Sequence, residues 1–167
     1  MIHQRPLSRG FSMIELVVVI SIMVILVGMG VTMVSDELAK ARDVRRVEDV
    51  KTLVRALEAY LEDTGTLPDG DVEPAGNGWD TTADGEFLSA LVDGGYLRET
   101  VLDPLGSPYM FRYCHYPRGY QGFSSDFYVI GIAQYETNKF ASNKGHWSGT
   151  TRDWSQEFAY VVGGTSR

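Results

Sequence analysis

Three groups of residues in this chain could carry chemistry, and each implies a different kind. The first is nucleophilic: Cys114, the single cysteine, stands next to His115, with Ser124 and His146 further along. Covalent catalysis needs a nucleophile beside a base that a third group orients. These residues form no recognisable triad pattern, and Cys114 falls in a stretch that reads as a strand, where cysteine behaves as a small buried hydrophobe. The second group is acidic: Asp69, Asp71, Glu73, Asp80, Asp84 and Glu86 crowd one loop rich in Gly, Asp and Thr. Carboxylates at that density are a candidate for calcium, but the residue order of an EF-hand loop is missing. A solvated acidic loop is the simpler reading. The third is one carboxylate, Glu15, at the mouth of a run from Leu16 to Val34 that contains no charged residue. A carboxylate entering such a segment is costly unless it finds a counter-charge or reaches water, so its chemistry is ion pairing.

The apolar run determines where Glu15 can sit. As a helix it extends about 28 Å at ~1.5 Å per residue, close to the ~30 Å hydrocarbon thickness of a bilayer, so it can cross a membrane once. No small-residue cleavage site follows it, and Asp36 and Glu37 lead straight into a charged helical pattern, so the anchor is expected to be kept. Arg5 and Arg9 precede the run while acids follow it, which places the N-terminus in the cytoplasm and the remainder outside. The whole chain carries a formal charge of −7, and both early arginines lie before the run, so the exported part is more acidic still. That argues against nucleic-acid binding. One cysteine excludes an internal disulfide or a thiolate metal cluster. No Gly-rich phosphate loop is present.

Around the apolar run stand Arg9-Gly10-Phe11-Ser12-Met13-Ile14-Glu15-Leu16. This segment resembles the start of type IV prepilins and pseudopilins. The resemblance implies that a prepilin peptidase cuts between Gly10 and Phe11, that the new amino group of Phe11 is methylated, and that Glu15 is the glutamate fifth in the mature chain. After that cut, the amine of Phe11 in a neighbouring subunit would be the counter-charge for Glu15. A second segment, Gly95-Tyr96-Leu97 followed by Leu102-Asp103-Pro104-Leu105-Gly106-Ser107-Pro108-Tyr109, looks like the Asp-Pro-Trp-Gly stretch of major type II secretion pseudopilins, with Leu105 in place of the aromatic residue. In those proteins a loop between the last strands binds calcium. Here that stretch reads Gly131-Ile132-Ala133-Gln134-Tyr135-Glu136-Thr137-Asn138 and lacks the Asp-Gly pair, so no metal ligands are assigned. Asp126, Glu136 and Asp153 are the carboxylates to test first.

The elements that position these residues follow from periodicity. Leu38, Ala41, Val44, Val47, Val50, Val54, Leu57 and Leu61 recur at helical spacing with charges between them. One long helix from about Ser12 to Glu62 accounts for this, with Gly65 as its cap and Gly28 and Gly30 as small packing residues or, as the resemblance to the filament family implies, a point where it loosens on assembly. A short helix over Glu86–Val92 buries Phe87, Leu88 and Leu91. Pro104 and Gly106 make a turn. Three strands, Tyr109–Tyr116, Phe127–Ala133 and Glu157–Val162, form an antiparallel sheet on the helix. Trp79, Trp147 and Trp154 lie in loops and are read as core plugs or subunit contacts.

The expected fold is α+β: a leader over 1–10, a transmembrane or filament-core helix over 11–35, its amphipathic second half over 36–64, and a pilin-like head over 65–167. The function implied by the resemblance is structural and not enzymatic. The chain would be a subunit of a type II secretion pseudopilus or related pilus-like filament, anchored by a single pass in the bacterial inner membrane with its head in the periplasm or outside. Its partners would be copies of itself, other pseudopilins, the prepilin peptidase and an inner-membrane assembly platform powered by a separate ATPase. An alternative is a surface filament subunit that contacts DNA, cargo or a host surface.

Overall fold

The computed structural model describes residues 10–70, 78–83, 85–137 and 144–166 and, within the long helix, all side chains except those of 29–33. The elements in order are α1 (Met13–Thr64), β1 (Asp80–Thr81), α2 (Ser89–Asp93), β2 (Phe111–Tyr116), β3 (Phe127–Ile132) and β4 (Tyr160–Thr165). Turns of 3-10 helix lie at Tyr120–Gly122 and Trp154–Gln156. The chain divides into two compact units, one ending at Leu38 and one beginning at Ala39, and α1 contributes to both. The class is α+β, as expected.

In the first unit α1 is continuous across Gly28 and Gly30. Its large apolar side chains from Phe11 to Val27 range from about half to almost fully exposed. Among the described residues no helix is long and apolar enough to cross a membrane. Part of the expected span, the side chains of 29–33, lies outside the described residues, as does the leader before Gly10.

In the second unit α1 buries Val47, Val50, Leu53, Ala56 and Leu57. It ends where Gly65, at φ +75°, donates its N–H to the Leu61 carbonyl at 2.9 Å, a left-handed cap that a side chain would strain. The sheet runs in the order β1-β2-β3-β4, antiparallel throughout. Its register sets Phe111 opposite Ile132 and Phe127 opposite Thr165. Alternation along β2 and β3 sends Phe111, Tyr113, Tyr128, Ile130 and Ile132 to the core shared with α1 and α2. Phe127 and Val129, with Val161 of β4, go to a second core containing Trp79, Trp154 and Phe158. Trp79 and Trp154 are therefore core plugs, and Trp147 packs partly buried against them.

Three expectations need correction. The last strand is Tyr160–Thr165 and not Glu157–Val162, because Asp153 accepts the Ser155 N–H at 3.0 Å and starts a 3-10 turn, while Glu157 is drawn into an ion pair with Arg152. Gly163 and Gly164 extend the strand because rings lie against them. A Cβ on Gly163 would sit 2.2 Å from the Trp147 ring, and one on Gly164 would sit 2.6 Å from that of Tyr128. The two-residue strand Asp80–Thr81, read from sequence as loop, is held by pairing with Tyr113 and Arg112. Finally, Leu38 and Val44 are exposed, and the buried positions near Val44 belong instead to the charged Asp43 and Arg46.

Candidate assembly site and the ion cluster of the head

Glu15 stands in the first turn of α1, and the sequence explains why the helix starts there. Ser12 precedes the first helical residue, and Glu15 is three positions on, the arrangement of a capping box. The Ile14 N–H donates to the Ser12 hydroxyl at 3.4 Å, and the Ser12 N–H donates to the Glu15 carboxylate at 3.1 Å. Helix-terminal N–H groups would otherwise lack partners, and a carboxylate in the first turn is favoured by the helix dipole. The Glu15 carboxylate is thereby held against the Phe11-Ser12 peptide, on an exposed apolar helix. The sequence-assigned residues Gly10, Phe11 and Glu15 are all exposed.

The head contains a second charged arrangement that periodicity did not reveal. Arg46 on α1 is almost fully buried, and its guanidinium touches three carboxylates. Nε and Nη2 grip Asp103 at 2.5 and 3.1 Å, and Nη1 lies 2.7 Å from both Asp43 and Glu136. The Tyr109 ring covers the guanidinium at 4.8 Å. Arg42 donates to both oxygens of Glu136, at 2.9 and 2.6 Å. Asp43 accepts the N–H groups of Glu136 and Thr137 at 3.0 and 2.9 Å and the Thr137 hydroxyl at 2.8 Å. Asp103 opens the Asp-Pro turn and accepts the Leu105 N–H at 2.9 Å, while Gly106 closes it at φ +65°.

The charges respond accordingly. Hydrogen bonds from Arg42, opposed by burial and reinforced by Arg46, pull the Glu136 carboxyl down to about 2. Burial alone would lower the Arg46 pKa, but its bonds to Asp103, Glu136 and Asp43 raise it instead. A short-range signal did exist in the sequence: an Asp and an Arg three apart on one helix face. Such a pair by itself does not distinguish a buried position from a solvated one, because the burying partners lie far along the chain.

The three carboxylates singled out for calcium each accept hydrogen bonds from the protein itself. Glu136 is saturated by two guanidinium groups. Asp126 accepts the Arg118 N–H at 2.7 Å, and Asp153 accepts from Ser155 and Gln156. In the acidic loop, Asp80 is buried and accepts the Leu88 N–H at 3.0 Å, and Asp69 lies 3.1 Å from His115, while Asp71, Glu73 and Asp84 fall outside the described residues. Among the described residues no group of three His, Cys, Asp or Glu side chains is placed to hold a metal ion. Cys114 is half-buried in β2, and burial pushes its thiol pKa up, opposite to what a nucleophile needs. His146 bonds to Ser148 at 3.2 Å, far in sequence from Cys114 and His115 and joined to neither by a described bond.

A long N-terminal helix with an exposed apolar start and a four-stranded antiparallel sheet form a pilin-like α+β architecture, and the similarities that follow make the chain a structural filament subunit and not an enzyme. Residues 5–31 match the family model described as the prokaryotic N-terminal methylation motif. The chain is 31% identical over 119 residues to type II secretion system core protein G of Aeromonas hydrophila, covering 64% of this chain and 73% of that protein. The chain belongs to this pilin-like, major pseudopilin family. No solved structure matches it.

Proposed function

We propose that the chain is a body subunit of a type II secretion pseudopilus or a closely related filament. Peptidase cleavage between Gly10 and Phe11 frees an amine, and the helix from Leu16 to Val34 anchors the subunit in the inner membrane with its head outside. Assembly then bundles these helices. The observation that supports this reading best is the placement of Glu15, 3.1 Å from the Ser12 N–H at the start of an apolar helix. The ammonium group of a neighbour's Phe11 is a stronger partner than that neutral N–H, and more so where water is excluded. Exchanging one for the other would fix the axial step between subunits. Any loosening of α1 at Gly28 and Gly30 would accompany that step.

Coexpression of the full chain with a prepilin peptidase and an assembly platform tests the reading. Glu15→Gln should be cleaved as efficiently as the unaltered chain but should not enter filaments recovered by shearing. Filaments of Glu15→Gln at the unaltered level would overturn the pairing.

A further inference from the structure

The head gathers Asp43, Asp103 and Glu136 from three separate parts of the chain: α1, the Asp-Pro turn and the segment leaving β3. Ionised carboxylates brought together out of water repel unless a cation stands among them. A bound divalent ion is one solution, since hard cations collect carboxylate oxygens from scattered loops. Here the position is filled by a side chain. The planar fork of Arg46 holds Asp103 through two nitrogens and bridges Asp43 and Glu136 through the third. Arg42 closes the outer side of Glu136. The remaining acceptor capacity of Asp43 and Asp103 goes to N–H and O–H donors of Leu105, Glu136 and Thr137. Every described contact of these carboxylates is with an N–H or O–H donor, and the charged ones among them are the guanidinium groups of Arg42 and Arg46.

We infer that Arg46 is a structural cation built into the chain, latching the Asp-Pro turn and the segment 133–137 onto α1, and that the head therefore holds its shape without calcium. The latch is local. The Leu105 amide reports Asp103, and the Glu136 and Thr137 amides report Asp43, whereas the Val129 and Ile130 amides belong to the sheet. Loss of the guanidinium leaves three carboxylates facing one another and releases both segments at once.

Amide exchange and thermal unfolding of the full chain in detergent micelles test this, each in millimolar calcium and in excess EDTA. The unaltered protein should give the same unfolding midpoint and the same protection in both. Arg46→Gln should lose protection at Leu105, Glu136 and Thr137 together, on the order of 100-fold, while Val129 and Ile130 keep theirs. If Arg46→Gln does not fold, Glu136→Gln serves instead: it should weaken protection at Glu136 and Thr137 and spare Leu105. A midpoint of the unaltered protein that falls in EDTA would overturn the inference. So would full protection at the three amides in Arg46→Gln, or in Glu136→Gln a loss that includes Leu105 and the sheet equally.

Discussion

Replacing Asp43 should be among the most damaging single changes in the head, and the reason is the direction of its hydrogen bonds. Both carboxylate oxygens are acceptors: Oδ1 takes Arg46 Nη1 and the Glu136 N–H, and Oδ2 takes the Thr137 N–H and hydroxyl. Breaking a buried ion pair by removing one partner costs ~3–5 kcal/mol, and each stranded buried donor adds ~1–3 kcal/mol. These terms overlap, and water entering the vacated space recovers part of them, so Asp43→Ala should cost about 4 kcal/mol. For a domain of this size that corresponds to a fall of roughly 15 °C in the unfolding midpoint. Asp43→Asn is the sharper test. It keeps the shape, but its NH2 group must face either the Arg46 or the Thr137 donors, so the loss should approach that of Asp43→Ala. Near-ultraviolet circular dichroism of the full chain in detergent follows the melting of the aromatic cores. The adjacent Val44→Ala, at a half-exposed position, is the control and should stay within about 0.5 kcal/mol. An Asp43→Asn protein within about 1 kcal/mol of the unaltered one would refute the reasoning.

Other outcomes follow from the same geometry. The Glu136 carboxyl is held down to about 2 by Arg42 and Arg46, so its contribution to stability is complete above its unfolded pKa and is lost as pH falls through its folded value. Glu136→Gln should therefore flatten the part of the acid-unfolding curve between those limits and leave the neutral region parallel, as measured by midpoint against pH. Gly163→Val should unfold the second core, at a cost of about 3 kcal/mol, because its side chain meets the Trp147 ring. Ser12→Ala removes the hydroxyl that caps α1 and should weaken helix initiation by ~1 kcal/mol, visible as faster exchange of the Ile14 amide. Cys114, with its thiol pKa raised by burial, should react with a disulfide reagent at least ~10-fold more slowly in the folded protein than in urea.

The parts of this fold legible in the sequence are those governed by neighbours along the chain. Helical spacing announced α1, Gly65 its end and Phe87, Leu88 and Leu91 the buried face near α2. The turn residues Pro104 and Gly106 were legible for the same reason. Alternation found β2 and β3 to within a few residues. What escaped depends on distant partners. β1 exists because Tyr113 and Arg112 offer it a register, and the C-terminal end of β4 passes through two glycines that read as loop until Trp147 and Tyr128 are placed on them. Gly10, Phe11 and Glu15, the residues assigned by resemblance, stand within six positions of one another and so can be singled out from sequence alone. Arg46 was hidden because Asp103 and Glu136 reach it from 57 and 90 positions away, and nothing nearby marks a charged helical residue as buried.

The measurement that tests the central claim most directly is the intact mass of the chain recovered from cells that carry its assembly machinery. The account predicts a chain that begins at Phe11 and carries one added methyl group on its amine, present in the assembled fraction. A chain that still includes Gly10 and the residues before it, recovered from the assembled fraction with the peptidase active, would contradict it.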